Sequence, residues 1–182
     1  MGCKSLSKTK LIEMRSLQKY FTFAFLLANT TANESNMLFV DSSDRGYGAV
    51  YKQLDRNNVR QSTYMYGKWS SKDLNLTSTE KELKIVYKAL VHFRKHIRGK
   101  SILIKSDCSV IVRYLSAKIV HRKTNLSRLT ARCLNVIARN FVSMRIDHIA
   151  GKINIEADFL SRLACKNFKY PISEHYKRII TI

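Results

Sequence analysis

The stretch Leu38-Phe39-Val40-Asp41-Ser42-Ser43-Asp44-Arg45-Gly46-Tyr47-Gly48-Ala49-Val50-Tyr51 decides how the rest of the chain is interpreted. Its first apolar run is typical of a short strand that is buried on both faces. Gly46 and Gly48 allow a tight bend into a second strand. Asp41 ends the first strand, where water is scarce, so its charge requires a partner or a cation. An ordinary hairpin with Asp41 as a turn former is the alternative, because aspartate is common in turns.

The composition indicates a folded protein with an unusual charge. The chain has 182 residues, of which 45% are hydrophobic and 25% are charged, which fits one domain and a modest extension. The net charge of +20 indicates a polyanionic partner, with nucleic acid as the first candidate and a membrane surface or a ribosome as alternatives. The four cysteines lack metal-ligand spacing, so we expect reduced thiols rather than a zinc site or a disulfide framework.

Residues 1–35 form a basic and then apolar extension that ends in a polar linker. Its apolar run, residues 20–28, is too short to span a membrane but imitates a secretory signal peptide. The basic region ahead of this run is long for a signal peptide, so we predict an intracellular protein of the cytoplasm or nucleus. A secreted basic protein is the alternative, and it predicts cleavage near Ala32.

Hydrophobic periodicity predicts the element order β-β-β-α-β-α-α-β-α over residues 36–165. Thr77 and Glu80 have the spacing of a helix capping box, and the helix that follows is expected to run to about Arg98, before Gly99. The later elements are a strand over 101–106, helices over 109–115 and 126–140, a strand over 141–149 and a helix over 154–163. The fold class is therefore α/β, with a mixed five-stranded sheet flanked by helices, followed by a basic tail over 166–182.

Four carboxylates stand at positions that suggest shared chemistry: Asp41, Glu82, Asp107 and Asp158. The first and third end buried strands, the second lies on the packing face of a helix, and the fourth lies early in the last helix. If the two strands are neighbours, their ends converge, and each pair of charges about 4 Å apart repels by roughly 4 kcal/mol at an effective dielectric constant near 20.

Such a cluster is tolerable only if protons or cations fill it. Oxygen ligands favour Mg²⁺ or Mn²⁺, and two such ions about 4 Å apart can activate water and stabilise the leaving oxygen of a phosphodiester. Taken singly, each acid also fits a strand-end cap or a first-turn residue favoured by the helix dipole.

Four segments carry a resemblance to a known family. They are the glycine-bearing run over 41–49, the "STEKEL" segment over 78–83, the "KSD" segment over 105–107 and the closing "HIAGKINIEADFLSR" over 148–162. Over about residues 37–163 the chain resembles the ribonuclease H domain of retroelement reverse transcriptases. The "TEKE" helix start resembles the gypsy type, and "GKWS" with the closing motif also resembles the DIRS type. Integrases share the fold but use a different order of acids.

The resemblance implies a site residue by residue. Asp41, Glu82, Asp107 and Asp158 would be catalytic and would hold two Mg²⁺ or Mn²⁺ ions. His148, ten positions before Asp158, would assist proton transfer or product release, although a histidine on a strand also fits a core or edge position. A further set of polar and basic side chains would bind the nucleic acid, with a solvated surface as the alternative for each: Ser42, Ser109, Asn154, Lys118, Arg122, Lys123 and Arg128.

The predicted function is hydrolysis of the RNA strand of RNA–DNA hybrids by a two-metal-ion endoribonuclease. The chain would come from a retroelement polyprotein or be a stand-alone remnant of one. The expected partners are an RNA–DNA hybrid and, as a candidate, a reverse transcriptase chain, with no membrane. The alternative is a non-catalytic nucleic-acid-binding module that keeps a ribonuclease H-like fold.

Overall fold

The computed structural model describes residues 35–55, 57–120, 123–140 and 142–163. The predicted extension up to residue 34, the predicted tail over 166–182 and the candidate Arg122 lie outside the described residues. Within them, no helix has the length and apolar character needed to cross a membrane.

Five strands form one mixed sheet, as predicted. The strands are β1 (Asn36–Ser42), β2 (Gly46–Leu54), β3 (Arg60–Lys68), β4 (Ser101–Ser106) and β5 (Ser143–His148). Their order across the sheet is β3-β2-β1-β4-β5. The first three strands are antiparallel neighbours, whereas β1 pairs with β4, and β4 with β5, in parallel. This order places β1 and β4 side by side at the centre.

The helices follow the predicted order, with a short helix and a 3₁₀ turn in addition. They are α1 (Ser71–Leu74), α2 (Ser78–His92), α3 (Arg94–Ile97), α4 (Ser109–Ser116), α5 (Asn125–Arg139) and α6 (Ile155–Leu163), with a 3₁₀ turn at Gly151–Ile153. The short α1 was not predicted. The capping box at the start of α2 is present in full, with Thr77 and Glu80 bonded to each other's backbone amides.

The prediction of one helix up to about Arg98 is wrong. Helix α2 ends at His92, Phe93 leaves helical geometry with φ −85° and ψ 9°, and α3 follows. Phe93 is fully buried and stacks on Tyr51 with 5.5 Å between the ring centroids. No glycine or proline marks the break, so the sequence pattern does not show it. The predicted end of helical structure before Gly99 agrees with the structure, because α3 ends at Ile97 and Gly99 has φ +69°.

The two faces of the sheet carry separate cores because side chains alternate along each strand. Leu38 and Val40 of β1 belong to the larger cluster, which includes buried residues of α2, α4 and α5. Met37 and Phe39 belong to the smaller cluster with Leu160 of α6. The central strand β1 is therefore covered on both sides, as its continuous apolar run predicts.

Helix α6 lies directly against strand β2 at Gly48. A Cβ atom at this position would lie 2.5 Å from the carbonyl oxygen of Ala157 and 2.6 Å from the amide nitrogen of Ser161. These are backbone atoms, which cannot swing aside as a side chain can. The absence of a side chain at Gly48 thus sets the depth at which α6 packs, and Asp158 lies on that helix.

Candidate active site

Three acidic side chains meet at one edge of the sheet. Asp41 is the penultimate residue of β1. Asp107 directly follows β4, the strand that pairs with β1 in parallel. Parallel neighbours end at the same edge, so these two carboxylates converge, and α2 brings Glu82 to the same place. One carboxylate oxygen from each of Asp41, Glu82 and Asp107 lies within 4.8 Å of the other two. The structure therefore brings three of the four candidate acids together.

Glu82 is the most deeply buried acid of this cluster, at 5% exposed. Its Oε1 accepts two hydrogen bonds from Ser42, one from the backbone N–H at 2.8 Å and one from the Oγ–H at 2.7 Å. Its Oε2 is buried and has no hydrogen-bond partner among the described residues. Burial, together with the charge of Asp41, raises the pKa of Glu82 to about 8, even though the Ser42 hydrogen bonds act in the opposite direction.

Asp41 is also buried, and it lies on the same face of β1 as Met37 and Phe39, the face that carries the smaller core cluster. Burial raises its pKa to about 6, and the charges of Asp158 and Asp107 add to the rise, while a hydrogen bond from Ser161 opposes it. Both raised pKa values mean that the charged carboxylates are destabilised in this environment. A bound cation would relieve this destabilisation, and the unpartnered Oε2 of Glu82 is an oxygen that a cation can use. The residues present therefore fit a hard divalent ion.

Asp158 lies near the cluster but does not belong to it. Its Oδ1 accepts a hydrogen bond from Nε of Arg162 one helical turn later at 2.7 Å, and Nη2 of Arg162 lies 2.6 Å from the same oxygen in an ion pair. Its charge nevertheless raises the pKa of Asp41. The structure thus brings three of the four predicted acids together and holds the fourth beside them in an ion pair.

His148 stands next to Asp107 at the end of β5. Its side chain is exposed, and its Nε2 lies 3.1 Å from the carbonyl oxygen of Asp107. The loop that follows passes close to the same residue, because a Cβ atom at Gly151 would lie 3.0 Å from Oδ2 of Asp107. A solvent-facing imidazole therefore lies beside the acidic cluster.

The predicted nucleic-acid-binding residues fall into different environments. The hydroxyl of Ser42 is used by Glu82. The prediction for Asn154 does not fit the structure, because this residue is 2% exposed and its Nδ2 donates to the carbonyl oxygen of Val40 at 2.8 Å. Asn154 ties the start of α6 to β1 rather than facing solvent. Four candidates are exposed: Ser109, Lys118, Lys123 and Arg128.

The sequence patterns did not predict the roles that three residues have at this site. Lys81 is only 8% exposed and donates from Nζ to the carbonyl oxygen of Asp44 at 2.9 Å. Trp69 is buried, and its Nε1–H donates to the carbonyl oxygen of Ser43 at 3.1 Å. Arg162 pairs with Asp158. Only Arg162 had a readable signal, since residues four apart on a helix face each other.

Comparison with known proteins places this geometry in a family. The sequence model described as "RNase H-like domain found in reverse transcriptase" matches residues 31–138. The chain belongs to this family. The family assignment confirms the resemblance drawn from the motifs, and the five-stranded sheet agrees with it. The narrower likeness to the gypsy and DIRS types stays a prediction.

A polyprotein and two solved structures illustrate the similarity. The chain is 30% identical over 129 residues to the retrovirus-related Pol polyprotein of transposon 412 from Drosophila melanogaster, covering 71% of this chain and 10% of that protein. It therefore spans about a tenth of the length of this relative.

The fold is similar to that of RNase H1 from the halophilic archaeon Halobacterium salinarum, with a TM-score of 0.52 and 14% identity over 71% of this chain and 96% of that one. It is also similar to the foamy viral protease-reverse transcriptase in complex with an RNA/DNA hybrid, with a TM-score of 0.54 and 13% identity over 72% of this chain and 20% of that one. Both structures support the α/β fold.

Proposed function

We propose that this chain is a metal-dependent endoribonuclease that hydrolyses the RNA strand of RNA–DNA hybrids. The observation that carries the proposal is the cluster of Asp41, Glu82 and Asp107, with oxygens within 4.8 Å and with one buried carboxylate oxygen that has no partner among the described residues. Because three elements far apart in sequence converge to place these acids together, and the site raises the pKa values of Asp41 and Glu82, a purely structural role does not account for the cluster.

Two Mg²⁺ or Mn²⁺ ions would be held by Asp41, Glu82, Asp107 and Asp158. When bound, such ions activate water and stabilise the leaving oxygen of a phosphodiester. Asp41 and Asp107 would face the ions from the strand ends, and Ser42 would keep the carboxylate of Glu82 oriented through its two hydrogen bonds. Asp158 would join them after its ion pair with Arg162 rearranges.

His148 would move the proton in this reaction. Its exposed imidazole can take a proton at one ring nitrogen while the other stays bonded, and histidine is the side chain most often used for proton transfer in enzymes. The carbonyl oxygen of Asp107 accepts a hydrogen bond when the proton is on Nε2, which leaves Nδ1 as the basic atom. This bond holds the ring beside the cluster without burying it.

The substrate proposal rests on charge, family and a structural neighbour. The net charge of +20 favours a nucleic-acid polyanion, and the foamy viral relative was solved with an RNA/DNA hybrid. An enzyme of this kind recognises A-like shape and 2′-hydroxyl groups rather than base sequence. The exposed Lys118, Lys123 and Arg128 would contact phosphates, the chain would act inside the cell, and a reverse transcriptase chain is its proposed partner.

The test is cleavage of a labelled RNA–DNA hybrid with Mg²⁺ or Mn²⁺ by the wild type and by Asp107→Asn. We expect RNA products from the wild type and none from the variant. Asp73→Asn is the matched control, because Asp73 is paired with Lys84 and lies outside the cluster. Cleavage that persists in Asp107→Asn would place the activity elsewhere or in a contaminant, and the proposal would fail.

A second candidate is a non-catalytic nucleic-acid-binding module. The ion pair of Asp158 with Arg162 favours it, because a carboxylate held by an arginine is not free to bind a metal. This reading predicts that neither wild type nor Asp107→Asn cleaves, while both bind the hybrid with the same salt-sensitive affinity.

A further inference from the structure

We propose that Lys81 and Trp69, both buried, are positioning residues of the candidate active site. They would hold the turn between β1 and β2 so that Ser42 keeps its two hydrogen bonds to Glu82. This inference rests on the proposed function for its catalytic consequence. The positioning itself concerns only residues of this chain.

The turn is fixed at three consecutive carbonyl groups. The carbonyl oxygen of Ser43 accepts from Trp69 Nε1 at 3.1 Å, that of Asp44 from Lys81 Nζ at 2.9 Å, and that of Arg45 from the backbone N–H of Trp69 at 2.9 Å. Three donor groups of two residues outside the turn, Trp69 and Lys81, therefore engage every carbonyl from Ser43 to Arg45. The position of the turn therefore depends on side chains and backbone groups that lie outside it.

The turn is also closed from within and tied to the last helix. Ser43 donates from its amide to the carbonyl oxygen of Gly46 at 2.9 Å, and its Oγ accepts from the amide of Gly46 at 3.1 Å. The Oγ–H of Ser43 donates to the carbonyl oxygen of Ser161 at 2.9 Å. Ser42, which comes directly before, therefore leaves the sheet along a path with little freedom.

Lys81 holds a buried ammonium at a neutral carbonyl. Burying a charged group is unfavourable unless it is hydrogen-bonded. Displacing the turn would remove the carbonyl oxygen that accepts from the Lys81 ammonium, so this hydrogen bond favours the observed position of the turn. Glu82 follows Lys81 directly on α2. The same turn of helix therefore supplies the carboxylate that accepts from Ser42 and the cation that holds the turn carrying Ser42.

Two other lysines on α2 face the same region but reach different partners. Lys84 pairs with Asp73 of α1. Lys88 lies over the Tyr47 ring, 4.7 Å from its centroid, and 6.0 Å from the centroid of Trp69. Lys84 therefore offers a matched control for Lys81: the same residue type, one turn away on the same helix, with a partner outside the turn.

The experiment compares Lys81→Met, Lys84→Met and Lys81→Arg with the wild type. The first readout is hydrogen exchange of the Ser42 amide with a chelator present, which needs no metal and no activity. Loss of the bond from Lys81 is expected to speed this exchange about tenfold. Lys84→Met should leave the exchange within about twofold of wild type, and Lys81→Arg should restore most of the protection because guanidinium can also donate to the carbonyl.

The second readout separates positioning from substrate binding. On a labelled hybrid, Lys81→Met is expected to lower kcat about tenfold with KM changed by less than about threefold, because Glu82 would be misplaced while the substrate surface is intact. A change confined to KM would overturn the proposal, since it would assign Lys81 to substrate contact. Unchanged Ser42 exchange in Lys81→Met would overturn it as well.

Two provisions keep the test decisive. If Lys81→Met does not fold, Trp69→Phe replaces it, since that change removes the Nε1–H donor and keeps an aromatic ring in the core. Faster Ser42 exchange in Trp69→Phe supports the proposal, and unchanged exchange contradicts it. If the wild type does not cleave the hybrid, the proposed function fails, while the exchange of Ser42 still decides whether Lys81 and Trp69 hold the turn.

Discussion

Glu82→Gln should change how the stability of the protein depends on pH. The pKa of Glu82 is raised from its ordinary 4.5 to about 8, with burial as the main cause. The folded chain therefore holds a proton on Glu82 that the unfolded chain has already lost between these two pH values. With metal removed, stability from this group is fully present below about pH 4.5 and is lost as the pH rises through about 8.

The magnitude follows from the same two values. Each pKa unit corresponds to about 1.4 kcal/mol, so ionising Glu82 in the folded chain costs at most about 5 kcal/mol. Because the titration of Glu82 is coupled to that of the neighbouring acids, we expect the free energy of unfolding of Glu82→Gln to exceed that of the wild type by about 2–4 kcal/mol at pH 9 and to match it within about 1 kcal/mol at pH 5. Glutamine can still accept from Ser42 through its carbonyl oxygen.

The assay is urea denaturation with a chelator at pH 5, 7 and 9. Glu80→Gln is the control from the same helix. Partial burial raises the pKa of Glu80, but hydrogen bonds from Thr77 outweigh this effect and hold the pKa below its usual value of 4.5. The stability that Glu80 contributes is therefore present above pH 4.5 and is lost as the pH falls. The reasoning is refuted if the stability curves of Glu82→Gln and the wild type run parallel across this range.

Three further predictions follow from the same geometry. Mg²⁺ should raise the melting temperature of the wild type but not of Asp107→Asn, and the rise should be larger at pH 8 than at pH 6, because the cation must displace protons from the cluster; equal rises in both proteins would contradict this. Gly48→Ala should lower the free energy of unfolding by about 1–3 kcal/mol in chemical denaturation, because the added methyl meets the backbone of Ala157, whereas a neutral result would mean that α6 can shift at no cost. Arg162→Met should change stability by less than about 1 kcal/mol, since its pair with Asp158 is largely exposed, yet it should tighten Mg²⁺ binding in calorimetry; unchanged affinity would show that the pair does not compete with the metal.

The sequence predicts those parts of the site that depend on local pattern. A buried strand that ends in aspartate, as at Asp41 and Asp107, can be recognised from an apolar run and its last residue. The helical period places Glu82 on the packing face, and the capping box fixes where that helix begins. Adjacency of β1 and β4 was a condition of the prediction rather than a result of it, and the observed strand order meets that condition.

Long-range backbone contacts were beyond the reach of the same patterns. Lys81 has the residue type of a solvated lysine, and only the packed structure shows that its ammonium reaches the carbonyl of Asp44. Asn154 has the residue type of a surface hydrogen-bonder, yet it joins α6 to β1. The break at Phe93 likewise depends on how its ring packs against Tyr51, a partner more than forty positions away along the chain.

The arrangement around Glu82 explains why these hidden contacts matter. Three acids that repel one another can share a site only if the surrounding chain holds them there, because each would otherwise move towards water. The turn after β1 meets this need through Trp69 and Lys81, and the close approach of α6 at Gly48 meets it from the other face. The repulsion that remains is what the proposed divalent cation would relieve, so the hold on this turn and the proposed metal binding would have one physical origin. Loosening the turn should therefore weaken metal binding even when every carboxylate is still present.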